Sequence, residues 1–149
     1  MRYKSIFYLS VSLVFFLAFK VLLEREFFFI NVQGRAEILL ANQFKDGLTN
    51  FLSKPLERAK ILAVNGRIKS TNGNVLIPIK ILSKKTITSY TNIDGRFTFR
   101  LRPGIYTFFI VNKDNAYLNS FDGKGYFKSY KVFSRNDNIL ITVTSNSYF

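Results

Sequence analysis

The stretch Thr91 to Ile110 reads TNIDGRFTFRLRPGIYTFFI and contains five aromatic rings and three arginines. Between its two turn signals the residues alternate in character, which predicts a strand with one apolar and one polar side. The rings of this strand face inward and its arginines face outward. The inward residues are Phe97, Phe99 and Leu101, and the outward residues are Thr98, Arg100 and Arg102.

A second strand is predicted to return through Tyr106, Phe108 and Ile110, which supply an opposing inward face. Phe109 does not fit this pattern, because its own side of the strand is also apolar. We expect that side either to be covered within the chain, with the segment Ala36 to Leu52 as a candidate cover, or to be offered to a partner. Coverage is the favoured alternative.

Seven strand-like runs with turn residues between them extend over residues 63–149. They predict an all-β domain, a seven-stranded antiparallel β-sandwich. Pro78 lies inside the second run and predicts an edge strand or a bulge. The runs are AVNGRIKS, VLIPIKILS, TITSYT, GRFTFRL, GIYTFFIVN, GYFKSYKVFS and NILITVTS.

The order and spacing of these motifs resemble the carboxypeptidase regulatory-like domain, which is related to the transthyretin-like β-sandwiches. The resemblance covers roughly residues 63–143. It implies a non-catalytic module that supports folding, docking or ligand contact, and it implies no catalytic residue. Asn92 departs from the family, which usually has Asp there. The matching residues are Gly66, Gly73, Pro78, Asp94, Gly95, Arg96, Phe97, Pro103, Gly104 and Tyr106.

The N-terminus predicts a membrane segment. MRYK carries two basic residues, and the following stretch to Leu23 is uncharged apart from Lys20. Nineteen residues, 5–23, give a helix of about 28 Å, close to the bilayer core of about 30 Å. We expect residues 1–23 to be an uncleaved transmembrane signal-anchor, with the N-terminus inside and the β-domain extracytoplasmic. A cleaved signal peptide, which implies secretion, and a buried soluble helix are the alternatives.

Residues 24–62 are interpreted as a juxtamembrane helical spacer. Leu40, Phe44, Leu48 and Phe51 recur at helical spacing, which predicts a short amphipathic helix between the anchor and the sandwich. Its apolar stripe is expected to dock on the domain or on lipid headgroups, with a dedicated partner helix as the alternative.

The composition excludes most catalytic chemistry. The chain has neither Cys nor His, so it lacks thiol nucleophiles, the usual metal ligands and the usual near-neutral proton shuttle. The four acids of residues 64–149 adjoin turn residues, where Asx hydrogen bonding is their expected role. We therefore expect no enzyme, no metal and no cofactor.

Basic side chains dominate the surface prediction. The net charge is +13, and residues 64–149 hold thirteen Lys and Arg against four acids. If their strands are neighbours, these side chains form a stripe suited to an anionic polymer; otherwise they are a solvated face. Nucleic acid is disfavoured, since rings and cations alternate onto opposite faces. The candidate binding residues are Arg100, Arg102, Phe109, Lys124, Lys128, Tyr130 and Lys131.

These patterns predict a membrane-anchored, non-catalytic β-sandwich module of the cell envelope. It is expected to be an accessory or assembly subunit that acts through protein–protein contacts, with the lipid bilayer contacted through residues 5–23. One alternative is a module that binds an anionic glycan or another envelope polymer. Another is a strand-exchanging surface filament subunit, suggested by the weakly charged terminal run NILITVTSNSYF.

Overall fold

The computed structural model describes residues 14–16, 20, 29–43, 49–82, 86–134 and 136–144. Over these ranges the chain is mostly β, with ten strands in two sheets and one short 3-10 helix, Ile79–Ile81. The strands are β1 Ile30–Gln43, β2 Thr49–Pro55, β3 Lys60–Asn65, β4 Leu76–Pro78, β5 Thr86–Tyr90, β6 Arg96–Leu101, β7 Gly104–Asn112, β8 Asn115–Tyr117, β9 Ser129–Val132 and β10 Asn136–Thr144.

The first sheet is built around β1. Its first half pairs antiparallel with β6, its second half pairs antiparallel with β2, and β10 runs parallel along its other side. Ala36 marks the change of partner: its N–H donates to Gly95 O at 2.9 Å, and its carbonyl accepts from the Leu56 N–H at 2.9 Å. The backbone of β1 is thus bonded on both sides, as a central strand requires.

The second sheet has the order β4-β8-β7-β3-β5, and β9 also pairs with β7. All of its pairings are antiparallel. Pro78 ends β4, which pairs only with β8 among the described residues. The expected edge position of Pro78 is therefore confirmed. An edge strand pairs on one side only, so it can accommodate a proline, which has no N–H to donate to the ladder.

The core joins the two sheets through aromatic contacts. Phe97, Phe99 and Leu101 of β6 are buried and their neighbours are exposed, which confirms the predicted alternation. Phe99 approaches Phe108 of β7 with ring centroids 5.6 Å apart, and Phe108 approaches Tyr130 of β9 at 5.8 Å. These rings bury large apolar areas, so the hydrophobic effect holds the sheets face to face.

The predicted helical spacer is wrong, because residues 30–43 and 49–55 form β1 and β2. Val32, Ala36 and Ile38 are buried on one side of β1, so period two governs this segment. Strands β6 and β10 also provide hydrogen-bond partners for the backbone of β1. In a short stretch these bonds stabilise a strand more than the helical spacing of a few apolar residues stabilises a helix. The sheets therefore include residues from Ile30 onward, have more than seven strands, and contain one parallel pair.

Each of the seven predicted runs overlaps a strand, whereas β8 was missed together with β1 and β2. Most of the proposed segment 1–23 lies outside the described residues. Those described, 14–16 and 20, are helical, with exposed side chains. Within the part of the chain that the structure describes, none of the helices has the length and apolar character needed to cross a bilayer.

Candidate functional site

Phe109 is fully buried, so the suggestion that it belongs to an exposed partner patch is wrong and the favoured internal coverage is confirmed. Phe127 covers it edge to face, with centroids 5.1 Å apart, and Phe121 stacks on Phe127 at 5.0 Å. The cover comes from the loop between β8 and β9, not from the segment Ala36 to Leu52. Both faces of β7 are consequently core faces.

Arg100 and Arg102 point outward as predicted, and both are exposed. Their guanidinium carbons lie 5.2 Å and 5.7 Å from the ring centre of Phe29, the residue that precedes β1. Pairing of Ile30 with Leu101 explains this meeting, because it brings the start of β1 beside the end of β6. Both distances are within the range of cation–π contacts.

The other predicted binding residues lie in the second sheet or its loop. Tyr130 is partly buried against Phe108, and its hydroxyl donates to Leu140 O at 3.2 Å. Lys128 Nζ lies 5.4 Å from the Tyr130 ring centre, while Lys124 and Lys131 are exposed. Since β6 and β9 belong to different sheets, they are not neighbouring strands, and the condition for a stripe across adjacent strands is not met.

The turn before β6 is formed by a compact hydrogen-bond network. Asn92 Oδ1 accepts from the N–H groups of Asp94 and Arg96 at 3.0 Å and 2.8 Å, and Gly95 has φ +72°. The turn carries the chain from β5 in one sheet to β6 in the other, so it does not close a hairpin within one sheet. A Cβ on Gly95 would lie 2.5 Å from Ala36 O, which explains why glycine fits this turn.

The remaining motif residues also have structural roles. Gly66 has φ +101°, its N–H donates to Ile105 O at 2.7 Å, and its carbonyl accepts from Thr107 Oγ1 at 2.9 Å. Tyr106 is buried beside Phe108, and Pro103 precedes Gly104, which opens β7. These residues position β3 and β7 and present no exposed reactive group.

Asp122 organises the loop that covers Phe109. Its Oδ1 accepts from the Lys124 N–H at 2.8 Å and the Tyr126 N–H at 3.2 Å, and Arg67 pairs with Oδ2. The hydrogen bond from Lys124 is the main reason that the pKa of Asp122 is lowered, with Tyr126 and Arg67 acting in the same direction. Arg67 also stacks on Tyr126, 4.5 Å from its ring centre.

An open cleft of about 910 Å³ lies where the start of β6 meets the middle of β1. Arg35 and Arg96 are directly opposed in the strand pairing, and Arg35 Nε lies 3.0 Å from Glu37 Oε1. Tyr90 and Leu140 also line the cleft and are 63% and 51% exposed. The cleft therefore places Arg96 and the ion-paired Arg35 beside apolar surface, an arrangement that suits a partner that carries negative charge.

Sequence reasoning missed this cleft because it placed Arg35 in the helical spacer. The signal was present as alternation of Val32, Gly34, Ala36 and Ile38 with polar residues, but Leu39 and Leu40 interrupt it. Among the described residues, no three acidic side chains come close enough to hold a metal ion.

Comparison of the chain with protein-family models gives no match, and comparison with curated proteins gives none either. The resemblance to the carboxypeptidase regulatory-like domain stays a prediction that depends on the turn and core motifs alone.

Proposed function

We propose that this protein is a membrane-anchored, non-catalytic β-sandwich module of the cell envelope. Its N-terminus is inside, residues 5–23 span the bilayer, and the β-domain is extracytoplasmic. It acts as an accessory or assembly subunit that presents a rigid surface to other proteins of an envelope complex. In this proposal the sandwich is of the carboxypeptidase regulatory-like type.

The short connection between the apolar segment and the sandwich is the observation that carries this proposal. Strand β1 begins at Ile30 and is the central strand of its sheet, so only six residues separate Ile30 from Leu23. A chain of that length spans at most about 25 Å. A module attached in this way holds its binding surface at a restricted height above the bilayer, which favours docking within a complex.

The cleft formed by Arg35, Arg96, Tyr90 and Leu140 is the proposed contact surface. Aromatic, aliphatic and arginine side chains are enriched at the centres of protein interfaces. Strands β1, β6 and β10 of the first sheet line most of the cleft, and Tyr90 of β5 adds a residue of the second sheet. A partner subunit with an acidic, partly apolar edge fits this combination.

Purification from native membranes in mild detergent, after brief crosslinking, tests the proposal. We expect defined proteins to co-purify with the full chain and to be lost when Tyr90→Ser and Arg96→Gln are combined. Lys80→Gln combined with Lys113→Gln is the control, because both lysines are exposed and lie outside the cleft. A monodisperse monomer without associated proteins contradicts the proposal.

Binding of an anionic envelope polymer is the second candidate function, and the opposed pair of Arg35 and Arg96 favours it. Heparin serves as a model polyanion for the full chain in detergent. We expect binding to weaken between low and moderate salt and to fall more in Arg35→Gln/Arg96→Gln than in the Lys80→Gln/Lys113→Gln control. Equal losses in the two variants contradict a specific role for the cleft.

A further inference from the structure

One end of the sandwich collects cations and aromatic rings from three strands. Ile30 pairs with Leu101, and Gly104 pairs with Val132, so the start of β1, the end of β6 and the end of β9 meet there. We call this the entry end, because the chain enters the sandwich through it. It is defined by Phe29, Arg100, Arg102, Lys131 and Phe133.

The entry end is the part of the sandwich nearest to the N-terminal apolar segment. Six residue steps separate Leu23 from Phe29, which limits their distance to about 20 Å. Strand β6 runs towards this end for six residues, so the Asn92–Gly95 turn that precedes it lies about 20 Å from the entry end. A bilayer that holds residues 5–23 therefore faces the entry end first.

The side chains of the entry end suit the surface of an anionic bilayer. Arg100, Arg102 and Lys131 are exposed, and Phe133 is 65% exposed although it is a large apolar residue. Residues 29–31, 100–104 and 130–134 include no acid. The adjoining residues 24–28 hold two glutamates and one arginine, so the end retains an excess of cations. Apolar rings beside basic groups are typical of segments that lie at the headgroup boundary.

Phe29 links this surface to the N-terminal segment. Its ring is partly buried, and the guanidinium groups of Arg100 and Arg102 both lie within 6 Å of its centre. The contact places both guanidinium groups beside the residue that precedes β1. Lipid phosphates at this end of the sandwich would be within reach of both groups.

We propose that the entry end rests on the anionic lipid headgroups of the membrane that holds residues 5–23. Phe133 enters the headgroup layer, and Arg100, Arg102 and Lys131 contact lipid phosphates. The inference rests on the proposed membrane attachment and adds an orientation to it: the sandwich stands with the Asn92–Gly95 turn away from the bilayer.

Site-specific fluorescence of the full chain in lipid nanodiscs tests this orientation. The chain has no cysteine, so Phe133→Cys and Ile93→Cys each create a single labelling site for the polarity-sensitive dye NBD. These two positions are a matched pair. Both hold a large apolar residue, 65% and 68% exposed, and they lie at opposite ends of the sandwich. The discs contain phosphatidylcholine with or without phosphatidylserine, and a nitroxide on the lipid acyl chains acts as a quencher.

We expect the dye at position 133 to show blue-shifted emission and quenching in discs that contain phosphatidylserine, and the dye at position 93 to show neither. Arg100→Gln/Arg102→Gln should reduce the quenching at position 133, and raised salt should reduce it as well. Equal emission at the two positions in chains that co-elute with discs overturns the orientation but leaves membrane attachment intact. Chains that fail to co-elute with discs overturn the attachment and the orientation together.

Discussion

Replacement of Phe109 by alanine separates internal packing from partner binding at this position. The side chain is fully buried and packs edge to face on Phe127 at 5.1 Å, so its removal leaves a cavity inside the domain. Truncation of a buried phenylalanine costs about 3–5 kcal/mol, of which the aromatic pair contributes about 1 kcal/mol. Domains of this size are stable by about 5–15 kcal/mol, so the variant should unfold at a much lower denaturant concentration.

Urea unfolding of the full chain in mild detergent measures this loss, with far-UV circular dichroism and tyrosine fluorescence as the signals. Phe133→Ala is the matched control, because the same truncation at a 65% exposed site should change the free energy of unfolding by about 0.5 kcal/mol or less. Phe127→Ala and the double variant complete a cycle, in which the two losses should be less than additive. A Phe109→Ala variant as stable as Phe133→Ala refutes internal packing as the role of Phe109.

Substitutions at three further positions test local features of the fold. Gly34→Ala should cost about 1–3 kcal/mol of unfolding free energy in the same urea assay, because its Cβ would lie 2.6 Å from Ile139 O and would also overlap Phe97; an unchanged midpoint contradicts the β1–β10 register. Asn92→Asp should keep the stability within about 0.5 kcal/mol, whereas Asn92→Ala should lose about 1–2 kcal/mol, since only the former retains an oxygen that accepts from two backbone N–H groups; equal melting temperatures of the two variants refute that role. Because the folded-state pKa of Asp122 is lowered from 3.8, its stabilising effect is present above that pH and is lost as the pH falls through the lower value; amide protection in the 120–128 loop, measured by hydrogen exchange, should decline there in the wild type and show no such step in Asp122→Asn.

The strands near the opening stretch were predictable because their signals are local. In β6 the alternation of Phe97, Thr98 and Phe99 is uninterrupted, and glycine or proline marks each turn around it. The structure also explains the departure at Asn92: an amide oxygen accepts the same two backbone hydrogen bonds that a carboxylate would. Local hydrogen-bonding chemistry was therefore retained where the residue type differed.

The pairing of β1 was not predictable from local pattern. Its partners β6 and β10 lie about 60 and 100 residues later in the chain, and a single sequence carries no signal of contacts at that separation. Leu39 and Leu40 also break the alternation, shortly after Ala36, where β1 exchanges β6 for β2. The helical spacing in the segment Ala36 to Leu52 therefore led to a helix prediction, although pairing with distant strands makes this segment β-structure.

The candidate site was only partly predictable for the same reason. The outward direction of Arg100 and Arg102 followed from alternation, but their contact with Phe29 depends on the β1–β6 pairing. The cleft likewise depends on that pairing, because it sets Arg35 opposite Arg96. At Phe109 the sequence predicted part of the answer. The second apolar face of its strand indicated that something covers it, but the sequence did not indicate that the loop with Phe127 provides the cover.

The central proposal is a sandwich held close to a membrane by an uncleaved N-terminal segment. Alkaline carbonate extraction of native membranes, followed by intact-mass measurement of the recovered chain, tests it most directly. The proposal predicts that the chain stays in the membrane pellet with a mass that still includes residues 5–23. Release of the chain into the supernatant, or a mass that lacks those residues, contradicts it.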